Sequence, residues 1–381
     1  MKKILLLLLI WIGTLWGGII VGADRDSEYL PLLKDKNVAM VVNHSSLVQG
    51  EHLVDKLLRK GVKINKIFAP EHGFRGNTDA GEHVQNGKDK ATGLPIVSLY
   101  GKHKKPTDND LHGVDVLLFD IQDVGVRFYT YLSTLHYIME AGAENGIPVV
   151  VLDRPNPNGA RIDGEILNFN YQSFVGLHPV PILYGMTIGE YAQMINKEGW
   201  LTGNLEANLT VIPLKNYTHL TPYYLPVKPS PNLPNELAIY LYPSLALFEG
   251  TTFSVGRGTK MQFQIYGHPS YTKRNFSFKP ISREGAKHPK HQNKRCYGVD
   301  LRSTIINPYA GLDLSYLIDA YKHYPDKKTF FLKNKFFDKL AGSNHLRKQI
   351  EAGFTEQEIK ASWKKDLDTF KAIRKNYLLY P

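Results

Sequence analysis

Five short, mostly apolar segments in the first half of the chain each end in polar residues, and segments with helical periodicity lie between several of them. The apolar segments are residues 37–42, 64–68, 95–99, 114–119 and 148–152. One helical pattern ends at Gly61, and another covers residues 129–145. Strands that alternate with helices form parallel sheets covered by helices on both faces. The sequence therefore predicts an α/β fold with a doubly wound, mostly parallel sheet.

The polar residues that follow these segments are expected to meet at one edge of the sheet. Ligands bind to open α/β sheets outside the carboxyl ends of the strands, where the strand order reverses. Asp and Asn at strand ends also form turns and helix caps, and that role alone accounts for any single one of them. It accounts less well for five successive strand ends. The residues expected to converge are Asn43, Glu71, Tyr100, Asp120, Asp123 and Asp153.

The loop after the second segment places an acid, an imidazole, an aromatic ring and a guanidinium within five residues, 71–75. Pro70 and Gly73 permit a tight turn that could hold the Glu71 carboxyl in a pocket. Phe74 would desolvate this carboxyl and raise its pKa. Arg75 would lower the pKa if it pointed inward, so a structural Glu71–Arg75 ion pair remains an alternative.

The N-terminal segment predicts export. Lys2 and Lys3 precede an apolar run that extends to Ile20, and Val21-Gly22-Ala23 fits a signal peptidase site. We therefore predict a signal peptide at residues 1–23, a periplasmic or extracellular location and no stable membrane anchor after cleavage. An uncleaved anchor is the alternative, because the apolar run is long for a signal.

The composition limits the classes of partner and cofactor but does not identify the function. The formal net charge of +11 suits an anionic partner such as a cell-wall polymer, although many soluble proteins are equally basic. A single cysteine excludes an intrachain disulfide and a thiolate metal cluster. The sequence has no nucleotide-binding glycine motif and no nucleic-acid-binding motif, so we predict neither a nucleotide cofactor nor a nucleic-acid partner.

A proline-rich segment around residues 222–234 marks a domain boundary, which we place near residue 228. The predicted domains are residues 24–228, which contain the parallel sheet, and residues 229–381. In the second domain, residues 312–324 and 356–377 have helical patterns. The basic segment 279–295 is predicted to be a loop, and we assign it no role.

Several motifs in order resemble one family. They are Glu71-His72-Gly73-Phe74-Arg75-Gly76, Phe119-Asp120-Ile121-Gln122-Asp123-Val124-Gly125, Arg127-Phe128-Tyr129-Thr130-Tyr131, Asp153-Arg154-Pro155-Asn156-Pro157, Pro229-Ser230-Pro231-Asn232, Phe248-Glu249-Gly250-Thr251, Gly256-Arg257-Gly258-Thr259 and Tyr377-Leu378-Leu379-Tyr380. The set resembles the NamZ-type exo-β-N-acetylmuramidases over residues 37–381. The resemblance implies a Rossmann-like N-terminal domain, a smaller α+β C-terminal domain and an active-site cleft between them.

The resemblance also implies an exo-acting hydrolase that releases N-acetylmuramic acid from the non-reducing ends of peptidoglycan fragments, with Glu71 as a catalytic residue. Glycoside cleavage usually needs a second carboxyl group. We favour Asp120 or Asp123 for it, with Glu249 or the 2-acetamido group of the substrate as alternatives. Whether the reaction retains or inverts configuration stays open.

N-acetylmuramic acid carries a lactyl carboxylate, which an arginine fork would recognise. The candidate arginines are Arg75, Arg127, Arg154 and Arg257. Tyrosines could stack on the sugar or bind its hydroxyls. The remaining predicted substrate-binding residues are Asn43, His72, Tyr100, Gln122, Tyr129, Asn156 and Glu249.

Two other functions remain open. His44, His72 and His83 with Asp120 and Asp123 would suit a metal-dependent deacetylase or phosphoesterase, although no tight metal-ligand motif is present, and we predict no metal site. A wall-binding protein that holds these fragments without cleaving them is the non-enzymatic alternative. The oligomeric state is not predicted.

Overall fold

The structure is a computed structural model that describes residues 18–75, 86–272 and 274–381. Most of the predicted signal peptide, and the predicted positions Gly76 and His83, lie outside the described residues. The strands are β1 (Asn37–Val42), β2 (Leu47–Val48), β3 (Glu51–His52), β4 (Lys63–Ala69), β5 (Gly87–Lys88), β6 (Pro95–Ser98), β7 (Val116–Asp120), β8 (Val149–Leu152), β9 (Ile162–Asp163), β10 (Leu183–Tyr184), β11 (Leu209–Ile212), β12 (Ile265–His268), β13 (Phe276–Phe278) and β14 (Cys296–Asp300). The α-helices are α1 (Asp26–Leu33), α2 (Leu53–Arg59), α3 (Asp108–Leu111), α4 (Tyr131–Glu144), α5 (Ile188–Lys197), α6 (Glu236–Leu245), α7 (Ser315–His323), α8 (Lys327–Phe330), α9 (Phe336–Ala341), α10 (His345–Glu351) and α11 (Glu356–Arg374).

The central sheet has the order β11-β8-β7-β1-β4-β6-β5 in the described residues. All its strand pairs are parallel except β5 with β6. Without β5 this is the Rossmann order, and the chain changes direction between β1 and β7. The predicted α/β, doubly wound fold is confirmed. Each of the five predicted strands is present within two residues of its predicted ends, whereas β11 was not predicted.

The register of the sheet brings the carboxyl ends of its middle strands to one level. Val42 at the end of β1 pairs with Asp120 at the end of β7. On the other side of β1, Val41 pairs with Phe68 of β4, and Ala69 of β4 pairs with Ser98 of β6. Strands β1 and β7 are buried along nearly their whole length, as expected for parallel strands covered on both faces. The loops after β1, β4, β6 and β7 therefore start side by side.

The C-terminal part combines a small antiparallel sheet, in the order β12-β14-β13, with helices α6 to α11. Helix α11 begins with a capping box formed by Thr355 and Glu358. It buries the residues predicted to face inward, which are Ile359, Trp363, Leu367 and Phe370, while Ile373 is partly buried. No helix within the described ranges is long and apolar enough to cross a membrane.

The end of the chain returns to the parallel sheet. The backbone N–H groups of Leu379 and Tyr380 donate hydrogen bonds to Glu190 Oε1, and the Tyr380 hydroxyl donates to Asp153 Oδ2 at 2.5 Å. Burial raises the pKa of Asp153 to about 7. Asp153 thus anchors the C-terminal segment, and the prediction that it faces a common crevice is wrong.

The start of the described chain is also part of this sheet. Ile20 pairs with Lys215 through two backbone hydrogen bonds, and the Gly22 N–H donates to the Asp153 carbonyl at 2.9 Å. Ala23 is fully buried. The predicted cleavage point after Ala23 lies directly beyond this packed segment, and cleavage there stays a prediction.

Candidate active site

Glu71 lies on the loop that follows β4, where two other elements contact its carboxyl group. The Tyr100 hydroxyl, after β6, donates to Glu71 Oε1 at 2.9 Å. The Thr130 hydroxyl donates to Oε2 at 2.7 Å. Thr130 immediately precedes α4, but its side chain binds Glu71 instead of capping the helix. The structure therefore brings Glu71 and Tyr100 together, as predicted, and adds Thr130, which sequence reasoning missed.

The backbone of this loop turns sharply after Glu71. His72 has a φ of +71° and Gly73 a φ of +75°, and the Gly73 N–H donates to the Pro70 carbonyl. A left-handed conformation is uncommon for a residue other than glycine, and such strain is concentrated at functional sites. The turn fixes the direction in which the Glu71 side chain leaves the sheet.

Glu71 lines a cavity of about 890 Å³ between the two predicted domains. Its N-terminal side includes Tyr100, Lys104, Phe128, Thr130 and Phe174, and its C-terminal side includes Tyr242, Glu249, Arg257 and residues 285–290. This volume lies in the range of small-molecule sites in proteins. The family resemblance implied a cleft between two domains, and this cavity lies at that position.

Glu249 and Arg257 form an ion pair in the wall of this cavity. Arg257 Nε lies 2.6 Å from Glu249 Oε1, and Arg257 Nη2 lies 3.0 Å from Oε2. Both side chains remain about one-quarter exposed. Gly256 and Gly258, each with a φ of +79°, form the turn that presents Arg257. Among the described carboxylates, only Glu249 shares the cavity with Glu71.

The segment 285–290, to which sequence reasoning gave no role, forms part of the wall. Lys290 Nζ donates to the carbonyl oxygens of Glu249 at 2.9 Å and Thr251 at 2.7 Å. Burial lowers the pKa of Lys290 to about 8. Lys290 thereby ties this wall to the turn that carries Glu249. The cluster of basic residues was visible in the sequence, but nothing in it indicated which surface the segment covers.

A small recess of about 50 Å³ adjoins the cavity beside Glu71. His72 and Tyr129, both predicted to bind substrate, line it together with Tyr131 and Asn232. The Tyr129 hydroxyl donates to the Pro229 carbonyl at 2.7 Å, so this tyrosine has a structural contact as well.

Asp120 and Asp123, predicted as the second catalytic group, do not line the cavity or the recess. Asp120 is fully buried and paired with Arg154, at 2.5 Å from Nε and 2.8 Å from Nη2. Asp123 accepts hydrogen bonds from the Gly125 N–H and the Tyr184 hydroxyl. Burial raises the pKa of Asp123 to about 6. The structure gives both carboxyl groups internal partners and does not support either as the base.

Of the four candidate arginines, Arg257 alone lines the cavity. Arg154 belongs to the buried pair with Asp120. Arg75 binds Asp89, with Nη2–Oδ2 at 2.8 Å, and lies 4.4 Å from the centre of the Phe74 ring. This arrangement replaces the alternative in which Arg75 pairs with Glu71.

Arg127 is buried and donates hydrogen bonds to four backbone carbonyls, including those of Leu340 and Ala341 in α9. Its role in the described structure is therefore to join the two domains.

Three further predicted substrate-binding residues lie outside the cavity, each in a strand-end turn. Asn43 Oδ1 accepts hydrogen bonds from the backbone and side chain of Ser45. Gln122 Nε2 donates to the carbonyls of Asp123 and Pro155. Asn156 Nδ2 donates to the Met186 carbonyl. Asn43 has a turn-forming role, as has Asn156, whose Oδ1 also accepts from the Asn158 N–H. Gln122 instead joins its loop to the loop that follows β8.

Within the described ranges, no group of three or more His, Cys, Asp or Glu side chains is placed to hold a metal ion. His44 contacts the Lys228 carbonyl, and His83 lies outside those ranges.

Two family models match consecutive parts of the sequence. Residues 38–237 match the N-terminal domain of exo-β-N-acetylmuramidase NamZ, and residues 240–380 match its C-terminal domain. The two matches meet close to the predicted boundary near residue 228, which itself stays a prediction. The peptidoglycan β-N-acetylmuramidase NamZ of Bacillus subtilis strain 168 is 41% identical, over 93% of this chain and 89% of the relative.

Two crystal structures of DUF1343 family proteins from Bacteroides fragilis NCTC 9343 have the same architecture. One is 48% identical with a TM-score of 0.88, and the other is 28% identical with a TM-score of 0.82. Each comparison covers 95% of this chain and 99% of the solved chain.

Proposed function

The chain belongs to the NamZ family of exo-β-N-acetylmuramidases, and from this membership we propose that it hydrolyses peptidoglycan fragments, releasing N-acetylmuramic acid from their non-reducing ends with Glu71 as general acid. The observation that carries the proposal is the position of Glu71 in the inter-domain cavity, oriented by the Tyr100 and Thr130 hydroxyls.

The proposed reaction breaks the bond between C1 of the terminal sugar and the bridging oxygen. Glu71 donates its proton to that oxygen, water supplies the hydroxyl that ends on C1, and the remaining proton of that water restores the acid form of Glu71. Two hydrogen bonds to the carboxyl group restrict its rotation, which favours a geometry ready for proton transfer. The second group acting at C1 is then Glu249 or the substrate's own 2-acetamido group.

Arg257 is the proposed partner of the lactyl carboxylate. It lines both the cavity and the recess, next to Glu71. Lys104, Lys287 and His288 also line the cavity, so its wall carries more basic than acidic side chains. Such a wall suits an anionic fragment better than a neutral chitin-like one.

We further propose that the protein acts outside the cytoplasm, because the N-terminal basic and apolar residues have the pattern of an export signal.

Paired chromogenic substrates test the function. We expect the protein to release p-nitrophenol from the β-N-acetylmuramide and not from the matching β-N-acetylglucosaminide, and to release free N-acetylmuramic acid from a fragment that begins with that sugar. Mass spectrometry of the products shows which end was cleaved. Binding without release would support the wall-binding alternative, and activity that is lost in a chelator and restored by a metal would support a metal-dependent hydrolase.

Replacing Arg257 with alanine should reduce recognition of the lactyl group. We expect the wild type to prefer the free-acid muramide over its methyl ester by about 10-fold to 100-fold in kcat/KM, since hydrogen bonds to charged groups contribute about 1.5–3 kcal/mol. Arg257→Ala should remove most of that preference. The exposed Arg302, paired with Asp300, provides a control in the same domain, and Arg302→Ala should leave the ratio unchanged. An unchanged ratio in Arg257→Ala would assign the lactyl group to another residue.

A further inference from the structure

The recess beside Glu71 has the size of a small substituent of a sugar. Its volume is about 50 Å³, and by this measure one water molecule needs about 10–15 Å³. It therefore has room for about four non-hydrogen atoms, the number in an acetamido group. Glu71, Thr130 and Tyr242 border both the recess and the main cavity. A sugar bound with its scissile bond at Glu71 could thus extend one substituent into the recess.

Asn232 lines this recess and has an unused hydrogen-bond acceptor. Its side chain is about 1% exposed, and its Nδ2 donates to the Gly285 carbonyl at 2.7 Å. This contact identifies which end of the amide is the nitrogen. The opposite atom, Oδ1, is buried and has no hydrogen-bond partner in the part of the chain that the structure describes. Buried polar atoms are nearly always paired, so this one calls for a donor.

Contacts on both sides of Asn232 hold it in place. The Asn232 N–H donates to Ser230 Oγ at 3.1 Å, and the Pro229 carbonyl accepts from the Tyr129 hydroxyl. Gly285, which accepts from Asn232, has a φ of +81°, and a Cβ at this position would lie 2.8 Å from Pro231. Asn232 is therefore part of a preorganised wall of the recess.

We infer that this recess is the subsite for the 2-acetamido group of the terminal sugar, with Asn232 Oδ1 as the acceptor for its N–H. The inference rests on the proposed function. A carbonyl oxygen attracts an N–H donor and repels a carboxylate, which excludes the lactyl group from this position. The rings of Phe128, Tyr129, Tyr242 and Phe263 also line the recess and suit a methyl group. The acetamido group on C2 adjoins both C1, where Glu71 acts, and C3, whose lactyl group we assign to the neighbouring Arg257.

The size of the recess can be tested on the wild-type protein with p-nitrophenyl β-muramides that differ only in the N-acyl group. One extra methylene in a closely fitting pocket costs about 10-fold to 200-fold. We expect kcat/KM to fall at least 10-fold from N-acetyl to N-propionyl, and further for N-isobutyryl. Equal rates across the series would overturn the assignment, while the absence of any muramide cleavage or binding would instead count against the proposed function.

The role of Asn232 can be tested by binding, which does not depend on catalysis. Calorimetry with N-acetylmuramic acid and with its 2-O-acetyl analogue, in which an ester oxygen replaces the N–H, gives a ratio of dissociation constants. We expect Asn232→Ala to reduce the wild-type preference for the N-acetyl ligand about 10-fold. Asn235→Ala is the matched control, because Asn235 belongs to the same segment but caps α6 outside the recess. Equal weakening for both ligands would mean that Asn232 only supports the wall and would overturn its assignment. If Asn232→Ala does not fold, the wild-type acyl series still decides whether the recess is the subsite.

Discussion

Glu71→Gln is expected to lower kcat for muramide hydrolysis by about 10²-fold to 10⁴-fold, the usual contribution of a general acid. Glutamine has the shape of glutamate and can still accept a hydrogen bond from the Tyr100 hydroxyl, but it cannot donate a proton to a leaving oxygen. The Glu71 side chain is only partly buried at the cavity, and glutamine keeps its size, so the melting temperature should change little. Initial rates of N-acetylmuramic acid release from a peptidoglycan fragment, whose sugar leaving group needs protonation, together with thermal unfolding, measure both quantities.

Two milder variants test whether the hydroxyls orient Glu71. Tyr100→Phe and Thr130→Val each remove one donor and keep the side-chain shape, and each should lower kcat about 10-fold, less than Glu71→Gln. Glu144→Gln, a change of a glutamate at the far end of α4, should have no effect. Near-normal activity in Glu71→Gln would show that the proton comes from another group and would remove the central residue of the proposed mechanism.

The sequence predicted the sheet because its physical signal is local. Parallel strands covered on both faces read as continuous apolar segments, and those segments are present for β1, β7 and β8. Helix α5 begins at Ile188 after a capping box formed by Thr187 and Glu190, which is likewise a local signal. Strand β11 was missed because it is short and only partly buried, so its apolar pattern is weak.

The site was predicted only in part, since its side chains come from distant segments. Glu71 and Tyr100 follow adjacent strands, so sheet topology alone brings them together. The wall 285–290 reaches the cavity through Lys290 and its contacts with carbonyls about 40 residues earlier, which no local pattern encodes. Asn232 was visible in a motif, but its unpaired acceptor is a property of the folded chain.

One error could have been avoided from the sequence. Asp120 ends β7 and Arg154 follows β8, and these strands are neighbours in a doubly wound sheet of this order. Opposite charges at neighbouring buried strand ends favour an ion pair over two substrate contacts, because each charge needs a partner once it leaves water. The structure contains that pair.

Asp120→Asn should therefore act on stability and leave the chemistry intact. Burial opposes the charge of Arg154, but the adjacent Asp120 carboxylate outweighs it and raises the pKa of the guanidinium. Removing the carboxylate leaves an uncompensated buried cation, which typically costs about 3–5 kcal/mol. Urea unfolding should show this loss, while the activity of the folded protein at low temperature stays within a fewfold of the wild type.

The matched control is Asp300→Asn, which breaks a two-point ion pair with Arg302 whose arginine side chain is 51% exposed. Exposed pairs contribute at most about 1 kcal/mol, so this variant should be nearly as stable as the wild type. Replacing both Asp120 and Arg154 with apolar residues of similar size should recover part of the loss, because no buried charge then remains unpaired. If Asp120→Asn kept wild-type stability and lost activity, Asp120 would have to act on the substrate, and the cavity lined by Glu71 and Glu249 would not be the complete catalytic site.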